Sequence, residues 1–155
     1  ALRYPRGEAY DGLARFRAPI RLGKWEVIYD ESEIALAAVG SMVKIAVEVR
    51  AQLREMGYSC SLVNARFVKP LDTDMIELMA GEHKLIVTLE ENVRSGGFGE
   101  AVLEYLNEIG SDVRCINIAL PDDYIEHGNV DLLREEAGID ARSAVKRIAA
   151  EYIGL

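Results

Sequence analysis

The chain has 155 residues, a formal net charge of −8 and an apolar fraction of 50%, which is the composition of one globular domain. This acidic balance argues against a nucleic-acid binder, because such proteins gain affinity from Lys and Arg side chains that neutralise phosphates. No apolar run approaches the roughly 20 residues that a membrane-spanning helix needs, and the sequence shows no signal-peptide pattern.

Cysteine and histidine are too sparse to indicate a metal site. Cys60 and Cys115 both fall in predicted strands, and we interpret them as buried free thiols. His83 and His127 are isolated, and no Cys or His spacing resembles a zinc pattern. We therefore predict no metal site, and the low cysteine content favours a reducing, cytoplasmic setting.

The first 23 residues differ in character from the rest of the chain. Residues 1–23 show neither helical nor strand periodicity, and prolines and glycines interrupt them. They carry five arginines against two carboxylates, so a small basic arm precedes an acidic body. Such an arm indicates an anion site, a docking segment or a solvated linker. We predict an interdomain linker at 1–23 and one domain at 24–155.

From residue 24 onward the pattern alternates between strands and helices. Residues 25–29 predict an edge strand or hairpin arm, and residues 34–39 form an apolar run typical of a strand covered on both faces. An apolar stripe at helical spacing follows Ser41, a good N-cap, and ends at Gly57. Further strands are predicted at 60–67, 85–89 and 113–119, and further helices at 73–80, 98–109, 129–137 and 140–152. This alternation predicts a mostly parallel sheet with helices on both faces.

Ligands of open parallel sheets bind at the carboxyl ends of the strands, where one loop combines Glu90 and Glu91 with a glycine-rich turn. Glycines before a helix can admit a phosphate, but two carboxylates directly upstream would repel it. The pattern also matches neither the dinucleotide fingerprint nor the P-loop. We favour a tight turn whose glycines permit close packing and whose carboxylates make hydrogen bonds or interface contacts, over acid–base catalysis by the pair.

A second loop at this edge carries Arg66 and Lys69, ahead of residues 72–73 that can cap the next helix. The two cations could form an anion site, or could pair with Glu90 and Glu91 at a neighbouring strand end. We predict the pairing, which would explain why adjacent carboxylates are tolerated.

Two other residues are candidates for chemistry. Arg6 is flanked by proline and glycine, and an arginine held in such a turn suits bidentate recognition of a phosphate. His127 follows the last predicted strand and could act as a general base, but we interpret it as a surface or satisfied loop histidine.

Together these segments resemble the 1-deoxy-D-xylulose-5-phosphate synthase family, thiamine-diphosphate enzymes of the transketolase superfamily. The most specific match is Asn-Ala-Arg-Phe-Val-Lys-Pro-Leu-Asp at 64–72. The others, in chain order, are residues 3–7, 37–43, 90–92 with 96–99, 120–122 and 127–128. The resemblance spans nearly the whole chain and points to the C-terminal domain of that family.

The resemblance implies a three-layer α/β/α fold with a mixed, mainly parallel five-stranded sheet, like the transketolase C-terminal domain, in which the edge strand around 25–30 is antiparallel. It implies a transferase that decarboxylates pyruvate on thiamine diphosphate and adds the two-carbon unit to glyceraldehyde 3-phosphate. The product is a precursor of isoprenoids, thiamine and pyridoxal cofactors.

In the family, the diphosphate and its magnesium are bound by the first domain, and the glutamate that activates the cofactor lies in the second. The resemblance therefore assigns no catalytic, cofactor-binding or metal-binding residue to this chain. Arg6 matches the family arginine that binds the acceptor's phosphate, and Arg3 is a lesser candidate. The implied partners are the N-terminal domains of the same protein and a second copy in a homodimer, and the isolated fragment is expected to be inert.

Two alternatives stay open. The glycine-rich turn also fits a free-standing doubly wound module that binds a phosphate compound or nucleotide at residues 95–99. The 2-oxo-acid dehydrogenase β subunits share the implied fold, so a fragment of one of them, with a lipoyl partner, is the other alternative.

Overall fold

Residues 10–154, which are the residues that the computed structural model describes, contain five strands and five helices, which alternate from the second strand to the fourth helix. The strands are β1 (Glu26–Tyr29), β2 (Glu33–Ala38), β3 (Cys60–Asn64), β4 (His83–Val93) and β5 (Arg114–Leu120). The helices are α1 (Met42–Glu55), α2 (Thr73–Glu82), α3 (Phe98–Glu108), α4 (Val130–Glu136) and α5 (Ala141–Ile153).

The strands form one mixed sheet in the order β1-β3-β2-β4-β5. β1 is antiparallel to β3, and every other neighbouring pair is parallel. The predicted five-stranded, mainly parallel sheet and its antiparallel edge strand are therefore confirmed. The order has one consequence for the site: β2 separates the ends of β3 and β4.

The core lies on both faces of the sheet, because side chains alternate between the two faces of a strand. On β2, Ile34 and Leu36 face one apolar cluster, which α1 and α5 cover. Ala35 and Ala37 face a second cluster, which α2 and α3 cover. The fold is thus the predicted three-layer α/β/α arrangement, with β2 covered on both faces.

The third strand ends earlier than its apolar pattern predicts. β3 stops at Asn64, whereas the sequence predicts a strand to residue 67. The N–H of Ala65 still donates to the backbone oxygen of Ala38 in β2 at 2.9 Å. Beyond it the chain leaves the sheet, and polar groups of residues 66–72 bind the segment that leads into β1, as described below. Among the described residues, no helix has the length and apolar character needed to cross a membrane.

Candidate functional site

A cleft of about 540 Å³ opens at the carboxyl ends of the parallel strands, where sheets of this class bind ligands. Its lining comes from residues 39–41 after β2, Val68 after β3, residues 90–92 near the end of β4 and residues 96–98 at the start of α3. The topology thus brings together the glycine-rich loop, the loop that carries Arg66 and Lys69, and the turn before α1.

Glu90 lies buried beside this cleft and caps helix α3. Only 2% of the residue is exposed. Its carboxylate accepts hydrogen bonds from the backbone N–H groups of Phe98 at 2.7 Å and Gly99 at 2.8 Å. The side-chain amide of Asn117 donates a third at 3.2 Å. The first N–H groups of a helix have no partner within the helix, so the chain's own carboxylate fills the position that a phosphate would take.

The glycines of this turn make room for that carboxylate. A Cβ on Gly97 would lie 2.6 Å from a carboxylate oxygen of Glu90. A Cβ on Gly99 would lie 2.3 Å from the side chain of Asn117 and 2.4 Å from the hydroxyl of Thr88. All three separations are shorter than a van der Waals contact, so the glycines serve close packing, which is the interpretation that the sequence favours.

Glu91 tethers two other elements at the rim of the cleft. It accepts a hydrogen bond from the hydroxyl of Ser41 at 2.6 Å and one from Nε of Arg134 at 2.9 Å. Ser41 occupies the predicted N-cap position directly before α1, but its hydroxyl binds Glu91 and makes no capping hydrogen bond. Burial alone would raise the pKa of Glu91, but the bonds from Arg134 and Ser41 outweigh it and hold that pKa below its usual value. Glu91 is therefore an ionised tether at neutral pH, not a poised general acid.

The predicted pairing of Arg66 and Lys69 with Glu90 and Glu91 is wrong. Arg66 instead forms an ion pair with Glu26 of β1 and donates to the backbone oxygen of residue 18 at 3.1 Å. Lys69 is exposed. The physical reason is the strand order: β2 lies between β3 and β4, so their ends stand two strand spacings, roughly 10 Å, apart.

Asp72 binds the residues that precede β1 as well as capping α2. Its carboxylate accepts hydrogen bonds from the backbone N–H of Trp25 at 2.8 Å and from Lys24 at 2.9 Å. The same carboxylate accepts the backbone N–H of Met75 at 3.4 Å, which confirms the predicted cap. In addition, the indole N–H of Trp25 donates to the backbone oxygen of Phe67 at 2.8 Å. The motif at 64–72 therefore serves largely to attach the chain in front of β1.

The remaining candidates show no arrangement for catalysis or metal binding. Cys60 and Cys115 are free, with Cys60 buried and Cys115 partly exposed. Burial raises the pKa of each thiol to about 12, so both are protonated at neutral pH. His127 is exposed, as predicted. Residues 10–154 contain no group of three or more His, Cys, Asp or Glu side chains placed to hold a metal ion.

The two predicted substrate-binding residues, Arg3 and Arg6, lie outside the described residues. Their assignment stays a prediction. The structure does describe the chain that follows them, from residue 10, and shows where that chain is attached to the domain.

Sequence reasoning missed three residues that organise the site. The sequence around Arg134 and Asn117 does not indicate their roles, because each binds a residue that is distant in the chain, Glu91 and Glu90 respectively. The role of Glu26, in contrast, could have been predicted from the sequence. It shares the inward face of β1 with Ile28, and a carboxylate at an inward strand position requires a buried partner.

Comparisons with known proteins place this fold in a known domain family. Residues 23–143 match the family model described as "Transketolase, C-terminal domain". The 1-deoxy-D-xylulose-5-phosphate synthase of Lachnoclostridium phytofermentans is 46% identical over 152 residues, which cover 97% of this chain and 24% of that protein. The synthase of Clostridium tetani is 39% identical over 148 residues, covering 96% of this chain and again 24% of the relative. The chain thus spans about a quarter of the length of these curated relatives.

Among solved structures, a split-gene transketolase, described as an inactive beta4 tetramer, superposes with a TM-score of 0.80 at 25% sequence identity. The match covers 86% of this chain and 43% of that chain. It supports the same fold.

Proposed function

Because the chain belongs to the transketolase C-terminal domain family, we propose that it is the C-terminal domain of a thiamine-diphosphate-dependent 1-deoxy-D-xylulose-5-phosphate synthase. The observation that carries this proposal is the 46% identity to one such synthase over 97% of the chain. Those relatives are about four times as long, which supports upstream domains in the same protein. We further propose a homodimeric, cytoplasmic enzyme in which residues 1–23 link this domain to the preceding one.

The proposed reaction joins pyruvate and glyceraldehyde 3-phosphate into 1-deoxy-D-xylulose 5-phosphate with release of carbon dioxide. Thiamine diphosphate with magnesium supplies the chemistry of decarboxylation and two-carbon transfer when it is bound. The described residues offer no site for this cofactor. The N-terminal amides of α3, which could bind its diphosphate, are occupied by Glu90, and residues 10–154 hold no cluster of side chains that could bind its magnesium. The proposed contribution of this chain is therefore assembly, together with the acceptor-phosphate end of the active site.

The same contacts weigh against a free-standing phosphate-binding module. Such a module needs free backbone N–H groups at the glycine-rich turn. In the structure, Glu90 takes the N–H groups of Phe98 and Gly99, and the carboxylate of Glu100 takes that of Gly96. A phosphate would have to displace two carboxylates from this turn.

Replacing Arg6 by alanine in the full-length enzyme tests the proposal. We expect the KM for glyceraldehyde 3-phosphate to rise tenfold to over a hundredfold, because a lost charged hydrogen-bond partner costs on the order of 1.5–3 kcal/mol. The KM for pyruvate should change by less than about twofold, since pyruvate carries no phosphate group. Steady-state kinetics with each substrate varied in turn measures both values.

The matched control is Arg114→Gln, which removes an arginine that is 54% exposed and paired with Glu151. Both KM values should stay as in the wild type in this control. An acceptor KM that is unchanged in Arg6→Ala would remove Arg6 from the site.

A further inference from the structure

Strand β5 ends the sheet on the side away from β1, because no further strand of residues 10–154 pairs with it. Arg94, directly after β4, donates its backbone N–H to the backbone oxygen of Leu120 at 3.0 Å, so the polar groups of Leu120 face β4. Successive residues of a strand direct their N–H and C=O groups to alternate sides. The backbone groups of Cys115, Asn117 and Ala119 therefore point away from β4, and we call them the outer edge of β5.

Arg147 of α5 binds one of these outward groups. Its Nη1 donates to the backbone oxygen of Asn117 at 2.8 Å. Within residues 10–154 its guanidinium forms no ion pair, and Glu151, one turn further along α5, pairs with Arg114 instead. Arg147 thus places a charged donor on a neutral backbone oxygen at the middle of the outer edge of β5.

Of the two edge strands in the described sheet, β5 is the one that needs such protection more. It has seven residues, and residues 115–120 contain no charge and no proline. A run of this kind with unpaired backbone groups is a template on which a further strand can pair. The opposite edge strand, β1, has only four residues and includes the charged Glu26, and short length and charge both protect an edge.

We propose that Arg147 is a gatekeeper that prevents β5 from pairing with the β5 of a second copy of this chain. A second copy offers an identical unpaired edge, and two such edges can form a twofold-symmetric, antiparallel pair. Paired strands lie about 4.8 Å apart, so the incoming strand needs the space and the oxygen that the guanidinium occupies.

Two properties of the guanidinium make it an effective block. An arginine side chain donates hydrogen bonds but accepts none, so it offers no acceptor to the N–H groups of an incoming strand. In a symmetric pair centred near Asn117, the guanidiniums of the two copies would also face each other. Like charges directly opposite one another destabilise strand pairing.

Replacing Arg147 by methionine in the 155-residue chain tests this role. The chain has an apolar core on both faces of its sheet, and methionine keeps much of the side-chain length without a charge or an N–H donor. We expect the dimer dissociation constant to fall at least about tenfold below that of the wild type, because neither copy has to give up a charged hydrogen bond. Sedimentation equilibrium measures this constant. A reducing agent is included, because Cys115 lies on the same strand and is a partly exposed free thiol.

Hydrogen exchange shows whether the new dimer uses the outer edge of β5. The outward N–H groups of Cys115, Asn117 and Ala119 should exchange more slowly in dimeric Arg147→Met than in the wild type, because they gain acceptors on the second copy. The N–H groups of β1, at the opposite edge, should exchange at the wild-type rate.

Two further variants serve as controls. Lys146→Met makes the same change in net charge at the preceding, exposed residue of α5, and should keep the wild-type dissociation constant. Arg147→Lys retains a cation and an N–H donor, and should also stay close to the wild type. Because Arg147 is exposed as well, all three variants should fold, and circular dichroism checks that they do.

Four results would overturn the gatekeeper role of Arg147. The first is an Arg147→Met chain that associates no more than the wild type. The second is equal association of Lys146→Met, which would assign the effect to net charge. The third is equal association of Arg147→Lys, which would assign it to side-chain shape. The fourth is a dimer in which the outer edge of β5 exchanges at the wild-type rate.

Discussion

Replacing Glu90 by alanine will lower the free energy of unfolding of the chain by about 3 kcal/mol. The change leaves the backbone N–H groups of Phe98 and Gly99 without their acceptor. Both residues are buried, and each unsatisfied buried donor costs roughly 1–3 kcal/mol. The amide of Asn117 loses a partner too. Release of the buried carboxylate from its desolvated position offsets part of this loss.

Urea unfolding followed by circular dichroism measures the change, and the adjacent carboxylate provides the control. Glu91 pairs with Arg134 at the rim of the cleft, and its side chain is 32% exposed, so Glu91→Ala should cost at most about 1 kcal/mol. If the two variants lose the same free energy of unfolding, Glu90 does not stabilise the start of α3.

Replacing Gly99 by alanine will also destabilise the chain, by about 2 kcal/mol or more, although alanine is the better helix former. Gly99 lies within α3, where the exchange alone would stabilise by roughly 1 kcal/mol. The added Cβ, however, would sit 2.3 Å from the side chain of Asn117 and 2.4 Å from the hydroxyl of Thr88. Both of those side chains are buried, so relief of the clash requires the core to shift, at a cost at or above the usual range of about 1–3 kcal/mol.

Gly81→Ala is the matched control, because Gly81 is also helical and a Cβ there would meet no atom within 4 Å. This variant should be more stable than the wild type by about 0.5–1 kcal/mol. The same urea titration compares the two. A Gly99→Ala protein within 1 kcal/mol of the wild type would mean that the start of α3 tolerates a side chain and that Asn117 and Thr88 have room to move.

The fold could be predicted because its signals are local. The apolar run at 34–39 predicts a strand buried on both faces, and β2 is that strand. The apolar stripe between Ser41 and Gly57 predicts α1. The direction of the edge strand required the family resemblance, because an isolated four-residue strand carries no signal of its direction.

The contacts of the site could be predicted only in part, because they depend on strand order. That Glu90 makes hydrogen bonds and that the glycines serve packing followed from the repulsion between a phosphate and adjacent carboxylates. The partner of Arg66 was predicted wrongly because the chain order of β3 and β4 suggests that they are neighbours, whereas β2 lies between them. Glu26 of β1, on the other side of β3, was the available carboxylate.

The measurement that tests the central claim most directly is an assay of the full-length enzyme and of the 155-residue chain with pyruvate, thiamine diphosphate and magnesium. Each protein would be supplied with glyceraldehyde 3-phosphate or with a lipoylated acceptor, and product formation would be followed for both. We predict that the full-length enzyme forms 1-deoxy-D-xylulose 5-phosphate only with the phosphorylated aldehyde, and that the 155-residue chain alone is inert. Turnover by the chain alone, or transfer by the full-length enzyme to the lipoylated acceptor instead, would contradict this account.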